Sequence, residues 1–394
     1  MNSKQESPFA FFRVISPSAL LAIGLALLAP LSYYLSLESS LFVPEYLQSI
    51  WRQLLEAHAG NSPYQTAALG RPHWSSVFAP RDAPGFHPWF FVLFAPFSLR
   101  SLQEFRQLAD FIGALSFFGL VLVWILQIGP RLRAPVLSAL IGLCAFHYAA
   151  FYALYSVPLM LLETLLISCA LARFVAGQPR AFCFYLGLAS CLSGTALLLL
   201  PLAFCMSGSH GRARTYSVAA CLLFYFLPAL WNAPQFAEYL SSVLQVRAPV
   251  GSSYSLYSTW GRYLYLQGLR HEQQLALGWF YLFIALSAAS CYLLQRARRH
   301  ASPEQLAHFA ALSFVLLIPW LQPWTLLLCV PALLLACERQ PALIALALIA
   351  ALPAQALLGF QAGRYGAVLC VGVLWVVLAC DLARSAACRV GERE

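Results

Sequence analysis

Three carboxylates stand where the chain gives them a reason to react: Glu45, Asp82 and Glu163. Glu45 opens the run EYLQSIWRQLLEAH, and Asp82 lies in the polar stretch Arg81-Asp82-Ala83-Pro84-Gly85, just ahead of His87. A carboxylate or imidazole close to a membrane surface can act as a general base. The same positions also fit a plainer reading, a helix-start carboxylate held by the helix dipole for Glu45 and solvated loop groups for Asp82 and His87. Glu163 falls inside a long apolar run. An ionisable group there is costly unless paired, so it marks either function or a buried hydrogen bond, with Arg173 or His147 as partner.

A second polar stretch, GSSYSLYSTWGRYLYLQGLRHEQQ over residues 251–274, surrounds Arg262 with small, hydroxylated and aromatic residues, and Arg247 and Arg270 flank it. The planar guanidinium fork suits a phosphate or pyrophosphate group. The plainer alternative is contact with lipid headgroups. No HxxxH or HExxH metal pattern, P-loop, GxSxG or GxGxxG occurs, and no CxxC either. The twelve cysteines avoid both polar stretches, so an oxidising compartment would find no pair there to bridge.

The elements that must position these groups are apolar. The chain of 394 residues is 61% hydrophobic and 10% charged, with a mean hydropathy of +0.71. A soluble domain carries about 25% charged residues, so the composition predicts an all-α polytopic membrane protein. Runs able to span lie near 17–36, 108–128, 135–152, 157–176, 216–233, 275–294, 305–321, 323–337, 341–358 and 365–383. No stretch between them holds a large soluble domain, so residues 1–394 form one membrane-embedded unit.

Between the first spans two short elements are expected. From Tyr46 to Ala59, Leu47, Ile50, Trp51, Leu54 and Leu55 recur at helical spacing, with Gln48, Arg52 and Glu56 opposite, and Gly60-Asn61 then Ser62-Pro63 stop the helix. The run FHPWFFVLFAPFSL over 86–99 is as apolar as a span but too short to be one, and fits a second surface helix.

Arginines set the expected orientation: Arg131 and Arg133, Arg173 and Arg180, Arg212 and Arg214, and Arg296, Arg298 and Arg299 mark cytoplasmic loops, leaving 37–107 and 234–274 outside and both termini cytoplasmic. One apolar run resists this scheme. If 183–206 crosses once, Arg180 and Arg212 fall on opposite sides; if it breaks at Ser193-Gly194-Thr195 and returns, they share one. The broken reading is preferred. On it the net charge of +9 is mainly a topology signal and implies no nucleic-acid partner.

In this order of elements the chain resembles family 87 glycosyltransferases, membrane enzymes of the GT-C class that include polyprenol-phosphate-mannose-dependent mannosyltransferases. The likeness rests on Glu45 through Gly60-Asn61-Ser62-Pro63-Tyr64, on Phe86-His87-Pro88-Trp89 through Leu93-Phe94-Ala95-Pro96, on Ser255-Leu256 with Arg262, and on Pro323-Trp324 through Pro331-Ala332-Leu333-Leu334-Leu335. It implies a GT-C-like bundle of about 10–12 transmembrane helices in a bacterial inner membrane. It implies a polyprenyl-phosphate sugar donor and a lipid or glycan acceptor, handled on the outer face. Glu45 and Asp82 are then the catalytic carboxylates, and Arg262, Arg247, Arg270, His87, Tyr64 and Ser255 the substrate-binding set. A divalent metal is left open. A secondary transporter or lipid-linked substrate flippase, and a non-catalytic membrane assembly protein, are the alternatives.

Overall fold

A computed structural model describes residues 45–64, 86–128, 154, 158–206, 211–244, 272–317, 323–339 and 360–387. The expected spans at 17–36, 135–152 and 341–358 lie outside these residues. Every element among those described is helical. Among the described residues, three stretches are long and apolar enough to cross a membrane: Leu102–Gln127, Pro158–Val175 and Gly211–Trp231.

The first two elements are the short ones. Helix α1, Glu45–His58, buries Leu47, Ile50 and Leu54 and exposes Arg52, as its spacing predicts. It ends at Gly60, whose φ of +81° is the left-handed cap conformation, with Asn61 N–H donating back to the Glu56 carbonyl at 2.9 Å. Helix α2, Pro88–Phe94, runs on as a 3₁₀ turn over Ala95–Leu99. Phe86, Phe90, Phe91 and Phe94 pack inward, while Val92, Leu93 and Leu99 face out. α1 lies across this turn, and the Trp51 indole N–H donates to the Arg100 carbonyl at 3.4 Å.

Helix α3, Leu102–Ile128, starts six residues before the expected 108. The reason is local. Ser101 and Glu104 form a reciprocal capping box, with Ser101 N–H on Glu104 Oε2 at 2.9 Å and Glu104 N–H on Ser101 Oγ at 3.3 Å. One turn on, Arg106 pairs with Asp110 at 3.5 Å, so a charged first turn enters the helix without leaving charge unpaired.

Helix α4, Pro158–Val175, runs parallel to α3: Gly113 meets Pro158, and Gly119 meets Leu165 farther along both. A turn at Gly177 reverses the chain into α5, Pro179–Leu192. The helix then breaks. Ser193 is extended (φ −146°, ψ 128°), and a 3₁₀ segment follows over Gly194–Cys205.

Helix α6, Gly211–Phe226, shows where that segment goes. Arg180 and Ser217 line one groove, Gly187 faces Cys221 and Phe224, and Gly194 faces Tyr225, so α5 and α6 run side by side in the same direction. Met206, after the 3₁₀ segment, accepts a hydrogen bond from Arg214 in the first turn of α6. The chain therefore enters on α5, turns at Ser193-Gly194, and returns. Arg180 and Arg212 share one end, which resolves the parity conflict in favour of the broken reading.

The remaining elements are α7, Pro228–Trp231, α8, Ala233–Leu244, α9, Glu272–Ala297, and α10, Pro303–Leu317. A 3₁₀ turn over Pro323–Cys329 leads into α11, Val330–Arg339, so the run expected as one span at 323–337 is divided. Last is α12, Phe360–Ala387, whose Trp375 donates to Ser313 at 2.9 Å and stacks on Phe309 of α10. Helix ends bearing Arg173, Arg180, Arg212 and Arg214 define an arginine-rich end of the bundle. α1, α2 and α8 gather at the other, aromatic end.

Candidate functional site

Polar side chains of the aromatic end converge on the break at Ser193-Gly194. The assembly begins with a defect in α6. Phe224 would normally receive the N–H of residue 228, but that residue is Pro228 and has none. The indole of Trp89 supplies the missing donor to the Phe224 carbonyl at 2.9 Å. The next carbonyl, Tyr225, meets His87 Nε2 at 3.2 Å. His87 Nδ1 accepts from the Trp89 backbone N–H at 3.3 Å, so Nε2 carries the proton and donates. His87 and Trp89 thereby pin α2 to two consecutive carbonyls at the end of α6.

His87 is fully enclosed. Burial pushes its pKa down to about 4, so the imidazole is neutral at ordinary pH. The expected solvated loop histidine is instead an internal cap and strut. Its ring lies 4.5 Å from that of Tyr225 and 5.1 Å from that of Tyr239, centre to centre.

Tyr64 comes to the same place from α1. Its hydroxyl donates to the Phe86 carbonyl at 2.8 Å, and its ring lies 5.8 Å from Tyr239. Burial, then Tyr225 and Glu238, raise its pKa, so it stays a neutral donor. Two residues earlier, Ser62 hydrogen-bonds Glu238 of α8. Tyr239, also held neutral by burial, shares a 3.1 Å hydrogen bond with Tyr225 and meets the Gly194 backbone. A side chain at Gly194 would run into both tyrosine hydroxyls, so only glycine permits this approach.

On the far side of the break lies Glu163, buried in α4. Thr195 donates to its Oε1 at 3.5 Å, Ser193 also bonds it, and the two hydroxyls are 2.7 Å apart. Of the two partners expected, Arg173 is turned elsewhere. Arg173 lies ten residues along the same helix, roughly 15 Å away, and donates to Gln178 at 3.3 Å. His147 is outside the described residues.

Of the sequence-predicted set, the structure brings Tyr64 and His87 together around Tyr239. Glu45 is the first residue of α1, whose fourteen residues put about 20 Å of helix between it and that cluster. Asp82, Arg247, Ser255, Arg262 and Arg270 lie outside the described residues. Glu238, Tyr225 and Tyr239 were not singled out by the sequence. The readable signal was Pro228, which leaves the Phe224 carbonyl without its helical donor, close in sequence to both tyrosines. Chemically the cluster offers two carboxylates, Glu163 and Glu238, with neutral hydroxyl donors beside each. No group of three His, Cys, Asp or Glu placed to hold a metal ion occurs among the described residues. No family model, curated protein or solved structure matches the chain.

Proposed function

We propose that the chain is an integral membrane glycosyltransferase that moves a sugar from a polyprenyl-phosphate donor to a lipid or glycan acceptor at the aromatic end of the bundle. The observation that carries this reading is the layer made by α1 and α2. Two short helices, one amphipathic and one wholly apolar, lock across one end of a helical bundle, above a buried carboxylate and a broken helix. A lipid-linked substrate needs such an end, half in the membrane and half in water. Phe111, Leu115, Phe184, Leu223 and Leu230 face outward, which supports a lipid surround.

In this reading the aromatic end is the outer face, the arginine-rich end is cytoplasmic, and the unit is a GT-C-like bundle of about 10–12 spans. A carboxylate, Glu45 or Asp82, takes the proton of the acceptor hydroxyl. The acceptor oxygen bonds the anomeric carbon, the bond from that carbon to the phosphate oxygen breaks, and polyprenyl phosphate leaves with the electron pair. Arg262, with Arg247 and Arg270, stabilises the departing phosphate, while Tyr64 and His87 position α2 beside it. Glu163 next to a helix break also fits a transporter or flippase.

One reconstitution separates the two. Purified protein in liposomes receives a panel of radiolabelled polyprenyl-phosphate sugars and membrane extract. Transfer of label to a new product is expected, abolished in Glu45→Gln, strongly impaired in Arg262→Ala and partly restored in Arg262→Lys. Label that crosses the bilayer without forming product would replace transfer with transport.

A further inference from the structure

Glu163 is a buried carboxylate with no part in the transfer chemistry, and it stands in α4, an apolar helix long enough to cross a membrane. A charge there must be neutralised. No ion pair to it occurs among the described residues, where Arg100 and Arg106 pair with Glu104 and Asp110. What meets it instead is the C-terminal end of α5, whose cap residue Ser193 hydrogen-bonds the carboxylate. That end is the negative pole of the helix dipole. A carboxylate beside it is the reverse of the arrangement that stabilises an anion. The break also releases oxygens. Thr195 N–H turns to Ser193 Oγ and Ala196 N–H to the Ser193 carbonyl, each at 3.4 Å. The Cys191 and Leu192 carbonyls thereby lose the donors that a continuing helix would bring. Ser193 and Thr195 are only half-buried, so the break opens a way to the enclosed carboxylate.

We propose that the break binds a small monovalent cation of the sodium type, held between the Glu163 carboxylate and the Ser193 and Thr195 hydroxyls. The donor set decides the ion. One carboxylate balances one positive charge, and a divalent ion would leave a buried excess. Zinc favours nitrogen and sulfur ligands, and those gathered here are all oxygen. The two hydroxyl oxygens are 2.7 Å apart, which suits a small ion, because oxygens sharing one ion spread as it grows. On binding, both hydroxyl protons turn outward and their lone pairs face the ion, while the negative end of α5 favours its charge. Unwound backbone and a helix C-terminal end at membrane depth are the general setting of such sites. The inference rests on the membrane placement of α4, and not on sugar transfer.

The test uses the full chain, purified in detergent without sodium. Melting is followed in choline, sodium, potassium and magnesium chlorides at matched ionic strength. Sodium is expected to raise the melting temperature saturably, with potassium and magnesium no better than choline. Glu163→Gln is expected to melt like wild type in choline and to lose the sodium shift. Thr195→Val removes one ligand at equal size, and about tenfold weaker apparent sodium affinity is expected, the size of one charged contact. A second readout needs no variant: modification of Glu163 by dicyclohexylcarbodiimide, followed by peptide mass spectrometry, is expected to slow in sodium but not in choline. The absence of a sodium shift, a shift that survives in Glu163→Gln, or an equal response to potassium or magnesium would overturn the proposal. So would modification that slows with rising pH yet ignores sodium, which would give the neutralising role to a proton. A chain that binds sodium but transfers no sugar would remove only the transferase reading.

Discussion

At the aromatic end, hydrogen bonds run between elements far apart in sequence: Trp89 to Phe224, His87 to Tyr225, Ser62 to Glu238 and Thr195 to Glu163. At the arginine-rich end, among the described residues, Arg173 donates to Gln178 and Ser302 caps α10 with Gln305, bonds between near neighbours in sequence. The first end is interlocked and holds the buried carboxylate of Glu163. The second is held by short-range caps and leaves a cavity between α3, α4, α10 and α11. Packing rigidity and open volume are thus allotted to opposite ends of one bundle. A site that must orient reacting groups needs the first kind of construction.

The sharpest way to break this contrast is Gly194→Ala. The new methyl meets the Tyr225 and Tyr239 hydroxyls inside an enclosed cluster. Overpacking costs about 1–3 kcal/mol or more, and the expected result is a large fall in thermal stability in detergent. An unchanged melting temperature would mean that the tyrosines do not close on the break.

His87 gives the next largest effect and a pH signature. Folded, it titrates at about 4; unfolded, at 6.5. The unfolded chain therefore binds the proton more readily. The histidine's contribution is complete above pH 6.5 and is lost as pH falls through 4, on the order of 3 kcal/mol in all. His87→Asn can still cap α2 but cannot titrate. Its stability is expected to be lower than wild type at pH 7 and to fall less steeply between pH 7 and pH 4. Parallel pH curves for the two proteins would remove the neutral imidazole from the account.

Glu163→Ala leaves the Ser193 and Thr195 hydroxyls without their acceptor. A cost of about 1–3 kcal/mol is expected. Glu163→Gln keeps an acceptor oxygen and is expected to melt close to wild type. If both variants lose equal stability, the negative charge rather than the hydrogen bonds holds the break.

The smallest effects are expected from local caps. Ser101→Ala removes half of a capping box, for about 1 kcal/mol. Gln178→Ala removes an exposed partner of Arg173 and is expected to stay within about 0.5 kcal/mol of wild type in denaturant melts. A larger loss from Gln178→Ala would show that the arginine-rich end is more interlocked than its contacts suggest.

Elements whose signal is local were legible in the sequence. α1 follows from the spacing of Leu47, Ile50 and Leu54 and from Gly60, and the break at Ser193-Gly194-Thr195 was marked by three small residues in an apolar run. The start of α3 was misread because Arg100, Glu104 and Arg106 look like a loop until Ser101 and Glu104 are seen as a reciprocal cap. The site was less legible, since its contacts between elements join positions 14 to 176 residues apart. Nothing near Glu163 names Thr195 as its partner, and nothing near His87 announces that it will be enclosed. Both facts depend on how α2, α4 and the returning segment meet.

That returning segment has a further consequence. Twelve residues of 3₁₀ helix cover roughly 24 Å at about 2.0 Å each, and the fourteen residues of α5 cover roughly 21 Å at 1.5 Å each. The 3₁₀ winding is narrower and longer per residue than an α-helix, so a limb two residues shorter than α5 covers the same length on its way back. Its start, Gly194, is enclosed by the two tyrosines, and the residue after its end, Met206, is held by Arg214, so the two ends of the molecule are tied through twelve residues.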